Sequence, residues 1–582
     1  MAEAAGLVLG SVSLIALFTT AVDGYRLISA ARNDLPKEAH FVVTKLEIEK
    51  QRYRVWGQFM GFSDEAGCEE FSHHSKPTQH LCIAILTEVA SIIRDTKTLA
   101  EKYGLVELGV GSMKDEQLKV EDIKSRDEAD PSQSAIVERV NEIVKAKVEK
   151  TGKLKKWKWA IDDGQKFERL VDKLCYLNDS LANCLTPFNV RQLAKALPSF
   201  VIPTIDDLPT LSKLGKSFAG DETVLTTSAD LKRLHIEAQA AEGSDSTASV
   251  KAPIVPWPAL QTFEDKGSRS MAYYTDASSQ KTSPEKSPRV MIEWKEIGRE
   301  VQDEDRTLVQ NRVQALALLL FTRKSSDFRI LSCRGIVKDP SVESGGVLRY
   351  GFVFDLPSTD TDPEAFPITL FDLLDAKNGP IPALGERFDL AKTLASALAL
   401  FHASKWLHKG LKSDNILFFR LNNQPTKSPT AITSPYIAGF DVARPDGPTD
   451  QSGPLSRTLD SDDNLYRHPD VRGPLKKRRY RKDHDIYSLG VLLYEIGFWS
   501  SVEKRIKPIV PPKSAPGEFR EKLIESCGEL EWTMGKKYKE VVVRCLEGDF
   551  GITSEGDKND DGGKLLRVFW SKVIRELEQC HA

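Results

Sequence analysis

The sequence predicts a multidomain protein: an all-α helical bundle over residues 1–225, a mostly flexible linker over 226–288 and an α+β domain over 289–582. Three observations predict it. Apolar residues recur at helical spacing through the first part of the chain. From Gly243 to Pro288 the composition shifts to Ser, Pro, Ala and Lys without sustained periodicity, as in a tether. Beyond Arg289, short strand-like runs alternate with long helical ones. At 582 residues the chain exceeds what one core organises, and 40% hydrophobic residues supply two or three ordinary domains.

The first element is Ala4–Val22, nineteen uncharged residues at the lower edge of what crosses a bilayer as a helix. It has no basic flank before it and no small-residue cleavage site, which favours cytoplasmic retention over secretion. Gly6 and Gly10 form G-x-x-x-G, the spacing that lets helices approach closely in lipid. With Leu14 and Phe18 they are the candidate membrane-insertion residues. Ser11, Ser13, Thr19 and Thr20 dilute the hydrophobicity, so the resting position is the centre of a bundle. Both readings hold if the helix can leave the bundle.

Val42, Leu46, Tyr53, Trp56 and Met60 then mark a second helix behind a start at Pro36, and Leu81, Ile85, Val89, Ile92 and Leu99 a third. A further helical signal spans Ala135–Val148. Trp157, Ile161, Leu170, Leu174, Leu177, Leu181 and Leu185 form one of the longest amphipathic stripes in the chain. The opening A-G-L-V-L-G-x-x-x-L-x-x-L-F with Val22-Asp23, the run Leu46 to Gly57, and Lys156 to Leu174 (K-W-K-W-A-I-D-D-G-Q-K-F-E-R-L-V-D-K-L) together resemble the HeLo domain of fungal heterokaryon-incompatibility and prion-inhibition proteins. The resemblance implies a helical bundle whose N-terminal apolar helix is released into membranes to kill the cell, with self-association, and with no catalytic site.

In the C-terminal part, Arg289–Lys295 reads as a strand, Arg306–Phe321 as a helix without acidic residues, Phe328–Val337 and Leu348–Phe354 as strands, and Leu370–Ala376 and Phe388–Ala403 as helices. Trp406–Leu417 (W-L-H-K-G-L-K-S-D-N-I-L) then resembles a protein-kinase catalytic loop, Tyr436–Arg444 (Y-I-A-G-F-D-V-A-R) its metal-binding segment, Tyr466–Asp470 the segment ending in A-P-E, and Asp485–Gly490 the start of the long buried helix. What this implies is a bilobal, protein-kinase-like α+β fold. His408, Lys412 and Asn415 sit at matching positions, whereas Gly410 replaces the catalytic base and Gly439 the metal-binding aspartate. Asp441 lies two residues beyond the metal position. Ahead of the first strand only Gly243 and Gly267 occur, so no glycine-rich phosphate loop is visible. Lys295 or Glu293 can take the ATP-lysine register, since both point to one face of a strand, and Lys295 is preferred.

The loop Pro445–Asp463 holds Ser452, Ser456 and Thr458, candidate regulatory hydroxyls, and Lys476–Lys482 is a basic run suited to acidic lipid or a phosphorylated partner. A net charge of −3 and an isoelectric point of about 6.4 give no electrostatic case for nucleic-acid binding. Eight scattered cysteines without a C-x-x-C pair read as reduced thiols, and no metal-ligand cluster is visible.

The function these features favour is a signalling, cell-death protein in which a pseudokinase controls a HeLo-type, membrane-targeting bundle. It resembles necroptosis effectors that join a four-helix bundle to a kinase-like domain. Partners would be further copies of the chain, an upstream signalling protein and, on activation, plasma-membrane lipid. No cofactor is required, and ATP would bind weakly or without magnesium. The alternatives are an atypical active protein kinase and a non-catalytic interaction scaffold. Loss of a general base removes about 10² to 10⁴ in rate, which places catalysis last.

Overall fold

The computed structural model describes residues 11–29, 40–62, 69–112, 155–161, 164–216, 223–242, 252–275, 287–297, 303–340, 348–357, 366–419, 432–446, 465–472, 479–510, 516–551 and 563–582, apart from 95, 323, 377, 378 and 433. It separates into two compact units, Met1–Leu197 and Pro198–Ala582. The division falls ahead of the boundary at 225 read from the sequence.

In the first unit α1 (Ser11–Ser29) packs against α2 (His40–Phe59) and α3 (Lys76–Arg94), and α2 packs against α4 (Gly164–Ala182). Leu14, Leu17, Phe18, Ala21, Val22 and Tyr25 are buried, a stripe at three- and four-residue spacing. Phe18 stacks on Tyr53 with centroids 4.9 Å apart and tilts against Phe62, while Trp56 donates its indole N–H to Leu181 O at 2.9 Å. Each such side chain stabilises the fold by about 1.5–3 kcal/mol through burial. Two glycines permit close approach: a Cβ at Gly24 would lie 1.6 Å from Ile93, and one at Gly57 2.2 Å from the Phe18 ring. Among the described residues no helix is long and apolar enough to cross a membrane.

The first unit is helical but not all-α. β1 (Leu105–Ser112) pairs antiparallel with β2 (Lys155–Ile161), with Val106 opposite Ala160 and Val110 opposite Trp157. K-K-W-K-W-A-I alternates at period two, but Trp157 and Ile161 are also four apart, so the same residues satisfy a helical template. Of the stripe Leu81, Ile85, Val89, Ile92 and Leu99, all but Leu81 are buried. Leu81 is 52% exposed, and Cys82, Ile85, Leu86 and Val89 fill the core. Residues 135–148 lie outside the described residues. The next helix, α5 (Pro187–Val201), contains Pro198, which removes one amide donor from its last turn.

The second unit takes in the last turn of α5 from Pro198 and continues with α6 (Leu208–Lys216) and α7 (Val224–Glu242). A hairpin of β3 (Leu260–Asp265) and β4 (Arg269–Tyr274) follows, turning at Gly267 with φ +78°. Much of the stretch read as a flexible linker is therefore regular structure, and the α+β domain starts before residue 289. β5 (Arg289–Ile297), α8 (Asp303–Phe321), β6 (Cys333–Lys338) and β7 (Leu348–Asp355) complete an antiparallel sheet of order β3-β4-β5-β7-β6, with α8 against β6.

Beyond the sheet the chain is mainly helical. β8 (Ile368–Thr369) leads into α9 (Leu370–Asp375), capped by Thr369 and Asp372 in a reciprocal box. α10 (Leu384–Ala403) then packs against α11 (Lys482–Phe498), which is apolar nearly all round and buried, as a central helix must be. Short strands lie between them: β9 (Trp406–Leu407) pairs with β12 (Arg444–Pro445), and β10 (Ile416–Phe418) lies between β8 and β11 (Tyr436–Ile437). α12 (Lys536–Glu547) packs on α11.

Candidate functional site

The polar centre of the second unit is built by a cross-strand pair. Arg269 on β4 stands directly opposite Glu293 on β5, so both side chains leave one face of the sheet. Arg269 Nε donates to Glu293 Oε1 at 2.8 Å, with the two side chains 10% and 4% exposed. Glu293 also accepts the Gly439 amide through both oxygens, at 2.9 and 3.0 Å. From its other end the guanidinium donates to Asn415 Oδ1 at 2.5 Å and to Asp414 O at 2.9 Å. Asn415 completes the circuit by donating from Nδ2 to Gly410 O at 2.6 Å. β4, β5, the loop around 410–415 and the segment at 439 are thus tied by one charged network.

Of the two residues considered for the ATP-lysine register, this network holds Glu293. Glu293, not Lys295, stands at the centre; Lys295 lies toward its rim and donates to the main-chain oxygen of Asp441. Burial lowers the Lys295 ammonium from its ordinary range and raises the Asp441 carboxyl, each being the counter-charge of the other. Gly410 and Gly439 are closely surrounded. A Cβ at Gly439, where φ is +81°, would lie 2.1 Å from Asn415 Nδ2, and one at Gly410 would lie 2.9 Å from Gly439 O. Lys412 turns aside to Asp414, 3.3 Å away. Magnesium needs free oxygen ligands, but Asn415 Oδ1 faces a guanidinium and Glu293 is shared between Arg269 and two backbone amides. The described residues do not fit a magnesium nucleotide.

Asp485, at the start of α11, anchors the loop from below. Its carboxylate accepts from the backbone of His408 and Lys409, both at 2.8 Å, from Tyr480 Oη at 2.7 Å, and lies 3.0 Å from His402 Nε2. Burial pushes this carboxyl up, but the hydrogen bond from His402 and its neighbours outweigh it and bring the pKa down to about 2. Lys409, whose amide is held by Asp485, has φ 62°, and Lys405, whose amide donates to His402 O, has φ 60°, a left-handed backbone that costs a non-glycine residue roughly 1–3 kcal/mol. His408 is buried, and burial lowers its pKa. A second buried group ties Tyr466 to the loop: its hydroxyl lies 2.6 Å from Ser413 Oγ and donates to Glu495 at 2.8 Å. Burial raises the Glu495 pKa to about 8.

Leu14 and Phe18 are core residues of the first unit, 4% and 5% exposed. Gly6, Gly10, Ser452, Ser456, Thr458 and residues 476–478 of the basic run lie outside the described residues. Arg269 was missed because it sits in the stretch read as linker. The clue was V-M-I-E in β5, which puts a carboxylate, in need of a cation, where a lysine was sought.

The fold also gathers three potential metal ligands that the sequence did not reveal together. His468, Asp470 and His484 bring ligand atoms within 4.8 Å of one another. Both imidazole Nδ1 atoms, however, accept backbone N–H groups, from Asp470 and Arg481 at 3.1 Å. That leaves the protons on the Nε2 atoms, so a metal would have to break one of these caps or displace a ring proton.

Three comparisons bear on these units. Residues 6–214 match the HeLo family, described as prion-inhibition and propagation, and residues 353–580 match a domain of unknown function (DUF7580). The chain is 24% identical over 234 residues to heterokaryon incompatibility protein s of Podospora anserina, 40% of this chain and 75% of that protein, and 22% identical over the same length to heterokaryon incompatibility protein S of that species. It is 24% identical over 176 residues to sporulation protein kinase mde3 of Schizosaccharomyces pombe, 29% of this chain but 28% of that protein. The N-terminal part of the chain carries a HeLo domain.

Proposed function

We propose that the chain is a regulated cell-death protein in which a kinase-like domain without phosphotransfer activity controls the HeLo domain. The carrying observation is the Arg269–Glu293–Asn415 network, which spends on internal bonds the groups that a kinase would turn toward nucleotide and metal. Three things support the kinase-like part: the sheet order with α8 inserted between β5 and β6, the Asp485 anchor beneath the 406–415 loop, and the partial likeness to a sporulation protein kinase. The relatives named for heterokaryon incompatibility support the effector part. In this reading the protein acts from the cytoplasm, self-associates and engages acidic plasma-membrane lipid.

Dye release from phosphatidylserine vesicles tests the effector. The full chain, once activated, should release dye, and Leu14→Lys should abolish release, because a charge at mid-helix costs about 2.5–3.5 kcal/mol for insertion. Equal release by the lysine variant would refute the effector reading and leave an interaction scaffold. Transfer of labelled phosphate from ATP that is lost in Asn415→Ala would refute the non-catalytic one.

A further inference from the structure

We propose that residues 198–242 are a strap docked on the second unit by a clasp of Lys232, Asp206 and Lys405, and that undocking it frees the end of the HeLo segment. The proposal deepens the regulatory reading above and rests on it for its output. The HeLo match runs to residue 214, yet the second unit begins at Pro198, so the last matched residues fold as part of the unit that would exert control.

The strap is held by chemistry unlike that of an ordinary core helix. α7 packs on α6, α8 and α10, burying Leu225, Ala229, Leu231 and Leu234. In the same face lies Lys232, whose side chain is 0% exposed. Its ammonium donates to Ile202 O at 2.9 Å, Pro203 O at 3.3 Å and Asp206 Oδ1 at 3.0 Å. A buried ammonium is costly unless paired, and here the Asp206 carboxylate that pairs with it has a side chain 69% exposed. Leucine or methionine would hold a permanent core contact better; a charge there gives register, and a contact that solvent or a competing ion can reach.

The same carboxylate touches the functional centre. Asp206 Oδ1 lies 3.6 Å from Lys405 Nζ, and Lys405 precedes Trp406, whose ring meets His235 of α7 edge-on at 6.2 Å. Lys405 O accepts the Asp446 amide at 2.9 Å, and the Asp446 carboxylate is 3.4 Å from Lys482 at the start of α11. One side of α7 thus senses α8, next to the sheet, while its clasp senses the root of the 406–415 loop and both ends of the 447–481 stretch.

Hydrogen exchange on the full chain tests the clasp, with two variants so that a folding defect in one does not decide the matter. Lys232→Met should raise exchange in 224–242 about tenfold or more, the loss of one charge-assisted bond. Asp206→Asn should raise it less, and 482–498 should not change in either. No rise in either variant, or an equal rise across the second unit, overturns the clasp. Dye release from phosphatidylserine vesicles is read in parallel and should increase with the exchange. Faster exchange without dye release keeps the clasp and overturns the effector reading; dye release without faster exchange does the reverse.

Discussion

Removing Glu293 probes the network that closes the polar centre. Its carboxylate is 3% exposed and serves the Arg269 guanidinium and the Gly439 and Phe440 amides together. Glu293→Ala leaves a buried guanidinium and a buried amide without their partner, which costs about 3–5 kcal/mol. Arg269→Met leaves the carboxylate with amides alone and should cost nearly as much. The double replacement, Arg269→Met with Glu293→Met, removes both charges and keeps volume. Its cost is the Gly439 amide and Asn415 Oδ1 left unpaired, about 1–3 kcal/mol. The cycle should therefore show a coupling of at least ~3 kcal/mol. Because the chain has two compact units, a single unfolding midpoint is ill-defined, and the assay is native-state hydrogen exchange of 436–442. A loss below about 1 kcal/mol for Glu293→Ala, or a double variant equal to the sum of the singles within ~0.5 kcal/mol, refutes the network as the element joining sheet and loop.

Restoring aspartates at 410 and 439 should not restore catalysis. The Cβ at Gly439 would meet Asn415 at 2.1 Å and φ is +81°, so Gly439→Asp should lose at least about 2 kcal/mol in native-state hydrogen exchange of 436–442 and gain no transfer of labelled phosphate. Glu495, whose pKa rises to about 8, contributes stability that is fully present below its ordinary 4.5 and lost as pH climbs through 8. Native-state hydrogen exchange of 482–498 should show this fall between pH 5 and 8.5, after correction for the intrinsic pH dependence of exchange, and lose it in Glu495→Gln; parallel curves would contradict it. Phe18→Ala, which empties a stacked site 5% exposed, should cost the first unit about 3–5 kcal/mol in chemical denaturation.

Long, single-period elements were legible from residues alone, α8 and α10 falling where the apolar spacing puts them, while the buried start of α11 at D-I-Y-S-L-G was legible through the kinase resemblance. Two kinds of feature were not. The β1–β2 hairpin has tryptophan and isoleucine at spacings compatible with period two and period four, and only pairing with Leu105–Ser112 decides between them. The Arg269–Glu293 pair depends on the register between strands, and the clasp joins Asp206 to Lys232 and Lys405, 26 and 199 positions away in the chain. A local pattern carries no information about contacts of that kind.

The packing around α1 has a kinetic corollary. Phe18 lies in an aromatic stack with Tyr53 and Phe62, its ring over Gly57, while Gly24 is notched against Ile93. The helix cannot slide out along its axis while those notches are engaged. Under the proposed effector function it would first lift away, giving up the ring contacts before lipid offered anything in return. Departure is therefore a barrier crossing with a steep temperature dependence, roughly 3–6-fold in rate per 10 °C if it resembles unfolding. The bundle would behave as a timer, with a waiting time set by the stack.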